Sequence, residues 1–252
     1  MNEIPEVVVA AGPDELAQLA ADRVALAAHA SVEARGAFHL ALAGGSTPRR
    51  LYERLAGDPA YAAQPWARTH IYFGDERCVP PDHPDSNFRM AYESLLTRVP
   101  VPAAQVHRME GEDPDPAAAA ARYEARVRRA LPHGVGEAPR LDLVLLGLGA
   151  DGHTASLFPG TTALEASSHL VAATWVEAVA AFRLTMTLPL LNAARAVVFL
   201  VAGEDKAEAV RRVLTPPPGA PPLPAARVRP TDGTLTWLLA GVSWPGVPGV
   251  RS

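Results

Sequence analysis

Cysteine occurs once in the 252 residues, at Cys78. A single cysteine excludes an intrachain disulfide and fits a reducing compartment, so burial alone has to hold the fold. Long apolar runs are missing as well. None approaches the roughly 20 residues a helix needs to cross a bilayer. The stretch 1–16 (MNEIPEVVVAAGPDEL) has no basic region ahead of a long apolar one, which argues against a signal peptide. Nor is there the basic excess of a nucleic-acid-binding protein: net charge is −4 and the sequence pI is about 6.1. The expectation is a cytoplasmic protein with no nucleic-acid or membrane partner. Lysine is nearly as scarce as cysteine. Of 23 basic residues only Lys206 is a lysine. Coding bias accounts for arginine elsewhere, but one retained ammonium, a compact point charge where arginine is a planar fork, asks for a chemical reason.

Proline, by contrast, is abundant at 25 residues. It concentrates in a segment at 215–224 (TPPPGAPPLP), which reads as an extended, mobile connector. The length suffices for a large core, and no internal repeat or interdomain linker is visible. A single α/β domain over 1–252 is therefore expected.

The stretch 141–160 (LDLVLLGLGADGHTASLFPG) organises the rest. Its apolar start, interrupted only by Asp142, predicts a strand buried on both faces, as in a parallel sheet. Gly147 and Gly149 end that strand and allow a tight turn. Asp151, Gly152, His153 and Thr154 then fall at its carboxyl end, where open α/β sheets bind ligands.

Before it, strand and helix alternate. Strands are expected at 6–10, 37–43 and 69–73, with helices at 13–34, 48–55 and from Ser86-Asn87 to about 97. The second strand runs into Gly44-Gly45-Ser46-Thr47-Pro48 and a helix start. Free backbone N–H groups and the helix dipole there suit an anion, and the two hydroxyls can cap the helix or donate to a phosphate. The segment is neither a GK[ST] phosphate loop nor a GxGxxG turn. The third strand runs into Gly74-Asp75-Glu76-Arg77. After a helix at 117–131, whose alanine run and charged faces read as solvent-facing, a linker at 132–139 leads to the central strand. Further strands are expected at 169–175, 182–187 and 196–202, and helices at 189–194 and up to Leu214. The strand at 196–202 runs into Gly203-Glu204-Asp205-Lys206. A lysine in a helix's first turn opposes the helix dipole, and an anionic ligand would resolve the conflict. One more apolar segment follows at 235–242.

The motifs GGSTP (44–48), DER (75–77), DSN (85–87), GLGADGHTASLFP (147–159), RLTMTLPLLN (183–192) and GEDKAE (203–208) occur in the order found in the 6-phosphogluconolactonase family, which the chain resembles from about residue 6 to Trp237. The resemblance implies an α/β fold, a mostly parallel Rossmann-like sheet flanked by helices, of the glucosamine-6-phosphate deaminase and ribose-5-phosphate isomerase type. It also implies hydrolysis of 6-phosphoglucono-1,5-lactone to 6-phosphogluconate, in the oxidative pentose phosphate pathway, with no metal or organic cofactor and no obligate protein partner. The 215–224 segment looks expanded against the family pattern.

Such a reaction needs a phosphate cradle, a base to activate water and donors for the developing oxyanion. Gly44, Gly45, Ser46 and Thr47 supply the cradle, with Lys206 as its cation and Arg183 as a possible second. His153 is the base, because histidine alone among these side chains has an ordinary pKa near 6.5. Gly152 beside it leaves room for substrate. Asp151 and Asp75 are candidates to orient His153 or hold sugar hydroxyls. Arg77 suits either phosphate binding or polarisation of the carbonyl, and both roles stay open. His29, His39, His70, His83, His107, His133 and His169 are assigned structural roles, and Cys78 is not assigned as the nucleophile, a role that needs a base and an activated thiolate. Two rivals are weighed. Deaminases resembling this chain carry DEY and a glutamate after DGH, where this chain has Arg77 and no acid in 154–159. A sugar-phosphate sensor is expected to carry a fused DNA-binding element, and no such element is expected ahead of residue 6.

Overall fold

Apolar runs of four to seven residues, stopped by glycine or charged turns, become the strands of the central sheet. The computed structural model describes residues 5–131, 133 and 138–243. Most of the linker expected at 132–139 lies outside the described residues. In chain order the elements are β1 (Glu6–Ala10), α1 (Pro13–Arg35), β2 (Phe38–Leu42), α2 (Ser46–Gly57), β3 (Thr69–Phe73), β4 (Asp75–Arg77), α3 (Asn87–Ala91), α4 (Pro116–Ala130), β5 (Leu143–Leu146), β6 (Val171–Val176), β7 (Ala181–Met186), α5 (Leu188–Ala193), β8 (Ala196–Ala202), α6 (Ala207–Leu214) and β9 (Thr234–Ala240). Short 3-10 turns join several of them, and a π-helical turn at Tyr92–Leu96 extends α3.

Six strands form one sheet in the order β1-β9-β8-β5-β2-β3, with every pair parallel. The apolar segment at 235–242 is thus β9, inserted between β1 and β8. Alternation along the strands sorts side chains to two cores. Val144, Leu146, Val197, Phe199 and Trp237 face α4, α5 and α6. Leu143, Leu145, Val198, Leu200 and Leu238 face α1 and α2. Asp142, which interrupts the central apolar run, is buried. It accepts from the His39 amide at 2.8 Å and pairs with Arg35 at 2.8 Å and Arg195 at 3.4 Å. Donors surround the buried carboxylate, as burial of such a group requires.

Two expectations are corrected. The α4 helix is not solvent-facing all round. Ala119, Ala120, Tyr123 and Val127 are buried, and the Phe73 amide donates to the Tyr123 hydroxyl at 3.0 Å. Alanine serves a close helix–sheet contact as readily as an exposed face. The 215–224 segment is not a free connector along its whole length either: Leu223 and Pro224 at its end are buried, as is Ala225 after it. The smaller sheet, β4-β7-β6, is antiparallel. It turns the DER motif into a strand and faces Asp75 with Thr185 and Arg77 with Arg183.

Candidate active site

Chain order leaves β2 for β3 in one direction and β5 for β8 in the other, so β2 and β5 flank the point where the sheet order reverses. A crevice opens at the carboxyl ends of strands at such a point. Here it is a cleft of about 250 Å³, lined by Ala43–Gly45 after β2, Gly74, Asp75 and Arg77 after β3, Asn87, residues 145–149 and 153–155 around the end of β5, and Lys206 after β8. The ends of four parallel strands meet there.

The turn after β5 is built to present His153. Gly152 donates to the Gly149 carbonyl at 2.9 Å, and Gly149 donates to the His153 carbonyl at 2.8 Å. A Cβ on Gly149 would lie 2.1 Å from the His153 ring, so the turn and the imidazole share one space. Asp151 Oδ1 accepts from the His153 amide at 3.1 Å and lies 2.6 Å from His153 Nδ1. Phe158 stacks on the imidazole with centroids 3.9 Å apart. A carboxylate at Nδ1 fixes the ring proton there and leaves Nε2 bare, a hydrogen-bond acceptor. Partial burial acts to raise the Asp151 pKa, but the His153 amide and imidazole outweigh it and hold it below the ordinary carboxylate value.

Asp75 belongs to a different network. Its Oδ2 accepts from Ser156 at 2.7 Å, and its Oδ1 and carbonyl accept from Asn87 Nδ2 at 3.1 and 3.0 Å. Asn87 is held in turn by Glu76. That buried carboxylate accepts from the amides of Arg77, Asn87 and Phe88 at 2.8, 2.7 and 2.8 Å and from Ser86 Oγ at 3.1 Å. Burial pushes the Glu76 pKa up, and the three amides moderate the rise.

The α2 N-terminus supplies donors that no side chain caps among the described residues. Gly45 caps it with no side-chain bond, so the first-turn amides have no capping oxygen. Pro48 removes a donor that would also have lacked a partner. Arg77 and Arg183 lie in register on β4 and β7, and neither pairs with a carboxylate among the described residues. Arg77 donates to the Asp85 carbonyl. Burial, then the charge of Arg77, lowers the Arg183 pKa. Lys206 ends the 3-10 turn Glu204–Lys206 and holds Asp205 at 3.0 Å. Burial pushes the Cys78 thiol up to about 11, against the pull of Arg183. That leaves little thiolate at neutral pH.

Of the residues singled out in the sequence, Gly44, Gly45, Asp75, Arg77, His153 and Lys206 line the cleft. Asp151 sits behind His153, Arg183 beside Arg77, and Ser46 and Thr47 in the first turn of α2. Gly152 is buried and faces Leu223, not the cleft, so it does not make room for substrate. Asn87, Ser156, Glu76 and Phe158 carry no signal of their own in the sequence, although each lies inside or beside one of the motifs. A Ser-Asn pair opening a helix after a loop signals an N-cap, and Ser86 does accept from the Arg89 amide at 3.1 Å. No local pattern marks Ser156 as the partner of a residue 81 positions away.

The chain is similar to known proteins over most of its length. The family model described as glucosamine-6-phosphate isomerases/6-phosphogluconolactonase matches residues 11–237. The 6-phosphogluconolactonase of Nostoc sp. is 41% identical over 229 residues, 90% of this chain and 92% of that protein. The 6-phosphogluconolactonase of Synechocystis sp. is 44% identical over 209 residues, 83% of this chain and 84% of that protein. Among solved structures, the 6-phosphogluconolactonase from Trypanosoma brucei aligns with a TM-score of 0.83 at 31% identity, covering 94% of this chain and 96% of that one. A monomeric glucosamine-6-phosphate deaminase, 23% identical, aligns with a TM-score of 0.74 over 94% of this chain and 97% of its own, a likeness of fold alone.

Proposed function

The chain belongs to the glucosamine-6-phosphate isomerase/6-phosphogluconolactonase family, and we propose that it works through the His153–Asp151 pair at the cleft. It is an enzyme that hydrolyses 6-phospho-D-glucono-1,5-lactone to 6-phospho-D-gluconate in the oxidative pentose phosphate pathway. Its partner is that small sugar phosphate. We assign the reaction to the cytoplasm, a compartment in which an unpaired cysteine stays reduced.

The observation that carries the mechanism is the 2.6 Å contact between Asp151 and Nδ1 of His153, a residue of the cleft lining; with Nδ1 so engaged, Nε2 is the nitrogen we assign to proton transfer. In our reading Nε2 takes a proton from water as the water oxygen bonds to C1 of the lactone. The carbonyl electrons move onto its oxygen. When that intermediate collapses, the bond from C1 to the ring oxygen breaks, and the imidazolium returns its proton to that oxygen. The new carboxylic acid then ionises. Asp151 stabilises the imidazolium while it exists. The α2 amides, Lys206 and the Arg77–Arg183 pair form the anion side, where the phosphate is held by charge-assisted bonds.

Isomerase and deaminase chemistry moves a proton between carbons and needs a further free acid–base group. Among the described residues the cleft lining carries one carboxylate, Asp75, and both of its oxygens are engaged by Ser156 and Asn87. Glucosamine 6-phosphate is therefore expected to release no ammonia. The mechanistic test is His153→Asn, assayed after subtraction of spontaneous ring opening. The variant should fold, bind 6-phosphogluconate and lose about 10²–10⁴-fold in rate. If it keeps more than about a tenth of the parent rate, His153 is not the base.

A further inference from the structure

We infer that the end of the proline-rich segment is a strap that sets the position of the His153 turn, with Leu223 as a positioning residue. Gly152, between Asp151 and His153, has φ +83° and is buried. A Cβ at this position would lie 2.6–3.0 Å from Leu223 Cδ1, Cβ and Cγ. The isobutyl group therefore packs on the bare α-carbon of Gly152. The Gly152 carbonyl accepts from the Ala225 amide at 3.0 Å. One residue of the turn is thus held by a side chain and by a backbone bond, both supplied by the strap.

The strap has its own anchors. Ala226 donates to the Leu223 carbonyl at 2.9 Å, and Asn192 Nδ2 donates to the Arg227 carbonyl at 3.1 Å. Arg227 also pairs with Glu165 at 2.6 Å. Position then passes from Asn192 and Glu165, through Leu223 and Ala225, to Gly152. From Gly152 it reaches the two residues whose side chains must stay 2.6 Å apart. Leu223 does not line the cleft. It acts on the reaction only by fixing where Nε2 of His153 stands relative to the lactone carbonyl. A displacement of about 1 Å in such a relation can cost about 10²-fold in rate.

The inference rests on His153 being the base, so the experiment runs Leu223→Ala, Leu223→Val, Leu223→Met and His153→Asn together in the full chain. Leu223→Ala should keep its KM and its affinity for 6-phosphogluconate while kcat falls by roughly ten- to a hundredfold. The imidazole NMR signals of His153 should move with it. Leu223→Val, the smaller deletion, should show the same split to a lesser degree, and serves alone if Leu223→Ala does not fold. Leu223→Met, which conserves volume, should restore most of the rate. Parent-like kcat in folded Leu223→Ala or Leu223→Val beside an inactive His153→Asn overturns the strap and leaves the base standing. A change confined to KM overturns it equally. Activity retained by His153→Asn overturns both.

Discussion

Acidification should destabilise this protein through the rim of the sheet opposite its active site. His39 on β2 and His70 on β3 are in register near the amino ends of their strands, and their rings stack with centroids 4.8 Å apart. His107 follows, its Nε2 3.1 Å from His70 Nδ1 and its ring stacked on Tyr72 at 4.5 Å. The Tyr72 hydroxyl lies 3.2 Å from His39 Nδ1. The charged groups facing the cluster are mainly cations: Arg35 beside His39 and Arg126 beside His107, with Asp142 held by Arg35 and Arg195. Burial first, then the neighbouring histidine and arginine charges, lowers His39 and His107 from 6.5 to about 4. The unfolded chain therefore takes up protons below pH 6.5 that the folded chain refuses until about pH 4. Stability is intact above 6.5 and falls through that window. Between pH 7.5 and 5 each of the two histidines costs about 2 kcal/mol, about 4 together, against a typical total of about 5–15 kcal/mol. Urea unfolding at a series of pH values measures this directly. His39→Phe keeps a ring in the stack and removes one titration, so it should roughly halve the slope of stability against pH, whatever it does to absolute stability. A parent protein that loses less than about 1 kcal/mol over the same range, or a variant with an unchanged slope, refutes the assignment.

Three further outcomes are expected. Lys206→Ala should weaken binding of the phosphorylated lactone by about 1.5–3 kcal/mol and affect unphosphorylated gluconolactone much less; equal losses in KM for the two substrates would show that Lys206 does not read the phosphate. Glu76→Gln removes a carboxylate from three amides and a hydroxyl, so denaturant titration should show a loss of about 1.5–3 kcal/mol, with kcat falling as Asn87 releases Asp75; unchanged stability would mean that the α3 cap is replaceable. Cys78→Ala should hydrolyse the lactone at nearly the parent rate, since its thiol stays protonated at neutral pH, and a folded but inactive variant would reopen the question of a cysteine nucleophile.

The strands were legible where an apolar run meets a hard stop. Those at 6–10, 69–73 and 196–202 fall where the sequence reading puts them, because glycine or a charged turn follows each. The cleft was legible for a related reason. In a parallel sheet every such stop lies on one rim, so the turns after β2, β3, β5 and β8 had to be neighbours. What escaped depends on partners distant in sequence. Three residues of β4 are too few for a periodic pattern, and only pairing with β7 makes them a strand. The 235–242 segment is visibly apolar, but nothing local says that it pairs with both β1 and β8. Leu223, among prolines, looks like linker until Gly152 is brought beneath it.

The position of β9 also governs how the protein is made. Glu6 is in register with Thr236, and its carboxylate accepts from that residue's hydroxyl at 2.9 Å, across 230 positions of chain. As synthesis proceeds from the N-terminus, β1 has no edge to join until the ribosome has released residues 234–240. Until then the Val198–Leu200 region of β8 lacks one neighbour, and Phe199 lacks the indole of Trp237 that stacks on it at 3.9 Å. Insertion of β9, the last strand among the described residues, is expected to be a late step of high contact order. A nascent chain stalled short of residue 234 would leave β1 without a partner and one edge of β8 unpaired. Chaperone dependence and aggregation should therefore concentrate in that interval of translation.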